Sequence, residues 1–125
     1  MISVVIVTLN DEARLGQALG PLVAAAVRGV VREVVVADGG STAATLEVAE
    51  DAGCRVVAGG LEAAKAAAKS DWLLILDPGA RLRPDWEERA RAHVESGARG
   101  AMRLNAEMLK RLLGIGPRCI LVRKS

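Results

Sequence analysis

The chain has 125 residues, of which 51% are hydrophobic and 26% charged, with a formal net charge of +2; this size supports one hydrophobic core and excludes two independent ones. With no Phe, no Tyr and two Trp, that core must be packed from small aliphatic side chains, which suits helices laid closely on a sheet. No apolar run approaches the roughly 20 residues that a bilayer requires, and the N-terminus lacks the basic, apolar and cleavage segments of a secretory signal, which points to the cytoplasm.

Residues 2–8 form a β-branched run that ends in Leu9-Asn10-Asp11-Glu12, a helix cap followed by acids for the first turn. The spacing predicts a strand and then a helix, with Leu15, Leu19, Leu22, Val23 and Ala26 as its apolar stripe. Pro21 is expected to kink that helix or end it early. Residues 33–37 give a second strand, apolar enough to be buried on both faces, and Asp38-Gly-Gly-Ser-Thr42 follows as a turn with Ser41 as a cap.

A second helix over about 42–52 stops at Gly53, residues 55–58 form a short third strand, and Gly59-Gly60 turns the chain into an Ala-rich helix that runs to Lys69. Glu62 and Lys65 are spaced to pair on it. Residues 72–76 are the fourth strand, and Pro78-Gly79 the next turn. Pro84 suits the first position of a helix with Trp86, Ala90 and Val94 on one face, ended by Gly97 and Gly100. The tail offers a strand near residues 101–104, a short helix with Met108, Leu109, Leu112 and Leu113, and a last apolar strand over 119–122.

Four alternations of strand and helix give the fold class: α/β, with a mainly parallel sheet, right-handed crossovers and helices on both faces. Residues 1–80 carry 6 basic and 10 acidic side chains (net −4) and residues 81–125 carry 11 and 5 (net +6). A basic end can meet phosphates, an anionic membrane surface or an acidic partner, so peripheral membrane contact stays open. The charges are scattered rather than blocked, which favours a solvated face and no nucleic-acid partner. Cys54 and Cys119 lack metal-ligand spacing and read as reduced, buried thiols.

Ligands of an open parallel sheet bind beyond the carboxyl ends of its strands, where strand order reverses. The segments just after strands one, two and four, Thr8 to Glu12, Asp38 to Thr42 and Asp77 to Gly79, therefore hold the candidate chemistry. There is no phosphate-cradling Gly-x-x-x-x-Gly-Lys loop, no dinucleotide glycine fingerprint and no nucleophile–His–acid arrangement. His93 falls on a predicted helix away from this edge and reads as a surface or capping residue.

Ser3-Val-Val-Ile-Val-Thr-Leu-Asn-Asp-Glu12, Val36-Ala-Asp-Gly-Gly-Ser-Thr42 and Asp71-Trp-Leu-Leu-Ile-Leu-Asp77, in this order and spacing, resemble successive motifs of family 2 glycosyltransferases over about residues 2–95. The resemblance implies the nucleotide-binding half of the glycosyltransferase A-type fold, one domain over residues 1–125, and a nucleotide-diphosphate sugar as partner. By motif position Thr8, Leu9, Asn10 and Glu12 would frame the base and ribose, and Asp38, followed by Gly39, would accept a hydrogen bond from a uracil-like ring. Capping by Asn10 and Glu12, and an Asx-type turn at Asp38, explain the same residues structurally.

The family's metal motif is two aspartates separated by one residue, which would hold Mn2+ or Mg2+. Here Asp77 stands and Gly79 takes the second position, so the motif is degenerate and a plain Pro-Gly turn accounts for it. Leu61-Glu62 stands where the family offers an arginine to the donor, leaving Lys65 or Arg81 as substitute cations. The region expected to build the acceptor pocket is largely absent, as if deleted ahead of a retained closing strand. The catalytic base is therefore unassigned. Three functions follow: a transferase, a degenerate nucleotide-binding member, or an interaction module. Apolar surface exposed by the shortening predicts a homodimer.

Overall fold

A computed structural model describes residues 2–8, 12–39, 43–77, 79–106, 113 and 118–124, with the backbone alone for Thr8 and for residues 12–15 and 43–45. Leu9, Asn10 and Ser41, and the predicted helix residues Met108, Leu109 and Leu112, lie outside the described residues. The elements in chain order are β1 (Ile2–Thr8), α1 (Glu12–Val27), β2 (Val31–Asp38), α2 (Ala43–Asp51), β3 (Arg55–Ala58), α3 (Gly60–Ala67), β4 (Trp72–Leu76), α4 (Trp86–Glu95), β5 (Met102–Arg103) and β6 (Cys119–Arg123).

These strands form a six-stranded sheet in the order β3-β2-β1-β4-β6-β5. β1 pairs in parallel with β2 and β4, and β2 with β3; β6 runs antiparallel to both β4 and β5. The mainly parallel expectation holds for the first four strands. Those strands are β-branched and leucine runs with no polar alternation, the pattern of strands covered on both faces.

Alternate strand residues divide between two cores. Val4, Ile6, Val36, Leu74 and Leu76 pack with Leu19, Leu22 and Ala25 of α1, Ala49 of α2, and Trp86 and Ala90 of α4. On the opposite face Val5, Val35 and Ala37 pack against Ala64 and Leu61 of α3. The absence of Phe and Tyr is met by Val and Ala contacts of this kind, which allow close approach of helix to sheet. Lys124 at the end of β6 donates to the Ala66 and Ala68 carbonyls at 3.3 and 2.5 Å, a cation where the carboxyl end of α3 favours one.

Several local expectations change. α1 runs through Pro21 without ending there. A proline on an exposed helix position removes one hydrogen bond, and packing of the opposite face compensates. The buried face of α1 is Leu19, Leu22 and Ala25, whereas Val23 is 43% exposed and Ala26 faces solvent. Pro84 precedes α4 by two residues, α3 ends two residues before Lys69, and the predicted Glu62–Lys65 pair forms at a loose 3.8 Å. Gly59 sits at φ +103, and a Cβ there would meet the Ala63 Cβ at 3.2 Å, so the start of α3 requires glycine.

Large hydrophobics left exposed among the described residues are Val23, Val27 and Leu113. Among the described residues no helix is long and apolar enough to cross a membrane.

Candidate functional site

The chain lays β1, β2 and β3 outward in one direction and then returns to place β4 on the other side of β1. Strand order therefore reverses between β1 and β4, and the crevice at their carboxyl ends is the topological switch point of the sheet. Register fixes what lies there. Thr8 pairs with Asp38 across β1 and β2, and Ile6 pairs with Leu76 across β1 and β4, so Asp77 follows directly on the opposite side of β1 from Asp38.

Of the residues expected to bind the base and ribose, Thr8 ends β1 and Glu12 is the first residue of α1. Asp38 is the last residue of β2 and half-buried, and Gly39 after it is exposed. The backbone thus gathers Thr8, Glu12, Asp38, Gly39 and Asp77 at one edge.

β6 brings a residue to this edge that the motifs did not indicate. Because β6 is antiparallel to β4, its first residue, Cys119, pairs with Leu76, and Arg118 before it lies beside Asp77. The Asp77 N–H donates to the Arg118 carbonyl at 2.9 Å. In return Asp77 Oδ2 accepts the Arg118 backbone N–H at 2.6 Å and its Nε at 3.2 Å, and Oδ1 accepts Nη2 at 3.1 Å. Ala80 donates its N–H to the Asp77 carbonyl at 2.9 Å, closing the turn that the Pro-Gly pair predicts.

This geometry does not fit a divalent metal ion. Both carboxylate oxygens of Asp77 are engaged by Arg118, and Gly79 offers no side-chain ligand. A hard cation of this kind takes several oxygen ligands, yet no group of three His, Cys, Asp or Glu side chains suited to a metal occurs among the described residues.

The proposed substitute cations differ. Lys65 is paired loosely with Glu62, whose side chain is 86% exposed. Arg81 lines an open groove of about 820 Å3 between α1 and the segment after β4, together with Gln17, Pro21, Gly79, Leu82 and Trp86. Two other guanidiniums of this groove are tied down, Arg83 to Asp85 at 2.5 Å and Arg28 to Glu87 at 2.7 Å, while Arg81 has no ion pair among the described residues.

Neither cysteine carries chemistry. Cys54 and Cys119 are free, and burial pushes their thiols up to about 11 and about 12, which leaves them protonated and unreactive near neutral pH. His93 is structural: its Nε2 lies 2.6 Å from the Gly100 carbonyl, so that nitrogen carries the proton, and its ring meets Trp72 edge-on at 5.2 Å.

Residues 3–102 match the sequence profile of glycosyl transferase family 2. The chain belongs to that family. Its fold is similar to glucosyl-3-phosphoglycerate synthase from Mycobacterium tuberculosis in complex with Mn2+, uridine diphosphate and glucosyl-3-phosphoglycerate, with a TM-score of 0.70 at 22% identity, covering 99% of this chain and 57% of that one. It is also similar to S. aureus TarS 1-349 in complex with UDP-GlcNAc, with a TM-score of 0.71 at 18% identity, covering 98% of this chain and 45% of that one. This chain thus spans about half the length of those structures, and the likeness establishes the fold that they share. No curated protein matches.

Within the family motif pattern, Arg118 is what sequence reasoning missed. It stands immediately before the segment read as the closing strand, its partner is 41 residues away, and no local signal marks it.

Proposed function

We propose that this chain binds a nucleoside-diphosphate sugar at the carboxyl edge of β1, β2 and β4 and takes part in glycosyl transfer from that donor. The observation that carries the proposal is the register in which Thr8 pairs with Asp38 while Asp77 follows Leu76, the β4 partner of Ile6, all at the switch point and inside the segment matched by the family. Asp38 accepts a ring N–H of the base, and Thr8, Leu9, Asn10 and Glu12 frame the base and ribose. The uridine nucleotides named with the two similar structures support uracil as that base.

A carboxylate is the fitting partner for a ring N–H because a charged acceptor makes the stronger hydrogen bond, and it rejects bases that present a lone pair in its place. The diphosphate then extends toward the end of β4. A homodimer is part of this reading, with the exposed Val23 and Val27 of α1, one turn apart, as apolar contacts for it at the end of the sheet away from the donor site. Sedimentation equilibrium giving a monomer mass at all concentrations removes the dimer.

Calorimetric titration with uridine diphosphate tests the donor site. Binding of uridine diphosphate in preference to adenosine diphosphate, lost in Asp38→Ala, is the expected result. Absence of binding to both nucleotides overturns the proposal and favours an interaction module.

A further inference from the structure

We propose that Arg118, held in place by Asp77, provides the positive charge for the donor diphosphate, so that nucleotide binding by this chain does not use a divalent cation. This rests on the donor-site reading above and goes beyond it by assigning the diphosphate subsite.

Charge is the first argument. Two aspartates would present a net −2 to a dication; here one carboxylate is matched by one guanidinium and the second position is Gly79. The Asp77–Arg118 pair is therefore close to neutral and has little to offer Mn2+, while the guanidinium keeps N–H donors that an anion can use. A metal ion entering at Asp77 would first have to displace a two-pronged arginine contact and a backbone N–H.

The second argument is position. The antiparallel pairing of β6 with β4 is what carries Arg118 to the carboxyl end of β4, adjacent to the strand-order reversal where ligands of such sheets bind. Its backbone is bonded to Asp77 in both directions, N–H to carboxylate and carbonyl to N–H. The guanidinium is thus oriented before ligand arrives, which reduces the ordering cost of binding.

Spare donor capacity is the third. A guanidinium has five N–H donors, and Arg118 spends Nε and one N–H of Nη2 on Asp77. Its remaining donors have no other partner among the described residues, and its side chain is 48% exposed against 27% for Asp77. A planar fork with free N–H groups matches the oxygens of a diphosphate better than a point charge does. Arg118 is accordingly a binding residue and Asp77 its positioning residue.

The test compares uridine, by saturation-transfer NMR, with uridine diphosphate, by calorimetry, each with Mn2+ and with chelator. Wild-type protein should bind uridine diphosphate equally well in both conditions. Arg118→Gln should weaken that affinity by about 10-fold or more, as loss of a charge-assisted contact does, while uridine binding is unchanged and shows that the fold and base site persist. Arg118→Lys should keep chelator-insensitive binding at intermediate affinity.

Mn2+-dependent binding of uridine diphosphate, or wild-type affinity in Arg118→Gln, overturns the inference and leaves the donor site standing. Failure of the wild type to bind either uridine or uridine diphosphate overturns the donor site itself, and the assignment of Arg118 with it.

Discussion

Asp77 and Arg118, 41 residues apart in sequence, hold each other by backbone and side chain at the point where β4 ends and β6 begins. The carboxylate that a family reading assigns to metal instead anchors an arginine and completes the last rung of an antiparallel ladder. Asp77→Ala should lower stability by about 1–2 kcal/mol, since it removes one backbone and two guanidinium hydrogen bonds in a partly exposed setting. It should also weaken uridine diphosphate binding, because Arg118 loses its orientation. Denaturant unfolding and calorimetry on the same variant check both. Unchanged stability together with lost Mn2+-dependent turnover would restore the metal role.

Asp38 gives the opposite pattern. It ends β2 at the carboxyl edge of the sheet and belongs to neither of the clusters that hold the core. Asp38→Ala should therefore abolish uridine diphosphate binding and shift Tm by no more than a few degrees. A domain of this size moves by roughly 4 °C for each 1 kcal/mol, so a drop of about 10 °C with equal loss of folding cooperativity would identify Asp38 as a turn residue.

The four parallel strands were legible because each is a short run of β-branched or leucine residues ended by Asx, Gly or Pro, signals that act within a few residues. The gathering of Thr8, Asp38 and Asp77 followed from that alternation and the rule for strand ends. What could not be read is non-local. The antiparallel direction of β6 and the capture of Asp77 by Arg118 depend on how a distant segment docks, and nothing near residue 118 encodes its partner. Leu22 and Val23 show the same limit inside a helix: both fit an apolar stripe, and only packing against the sheet chooses between them.

That choice is measurable. Leu22 is fully buried against the sheet core, and Leu22→Ala should cost about 2–5 kcal/mol through lost burial and the cavity left behind. Val23, 43% exposed one residue later, should tolerate alanine within about 0.5 kcal/mol. Urea unfolding of the two variants decides the rotation of α1; equal losses would mean that the helix face is misassigned.

Glu33 sits at the opposite end of the sheet from the site and ties β1 and β2 to the entry of β4. Its Oε2 accepts the Ser3 hydroxyl at 2.7 Å and the Lys69 N–H at 2.6 Å, and Ser3 Oγ, fully buried, accepts the Ser70 N–H at 3.2 Å. Burial alone would raise the pKa of this carboxyl. The Lys69 N–H, the Ser3 hydroxyl and the charges of Arg55 and Lys69 outweigh it and hold Glu33 below its ordinary 4.5. A depressed carboxyl binds its proton more weakly folded than unfolded, so its stabilisation is complete above about 4.5 and fades as pH falls through the folded value. Glu33→Gln retains an oxygen acceptor but not the charge. The Tm difference between wild type and this variant should be constant near neutral pH and shrink progressively below about pH 4.5, as followed by differential scanning calorimetry across that range. A difference that widens on acidification would mean that burial dominates and that the carboxyl is protonated more readily in the fold.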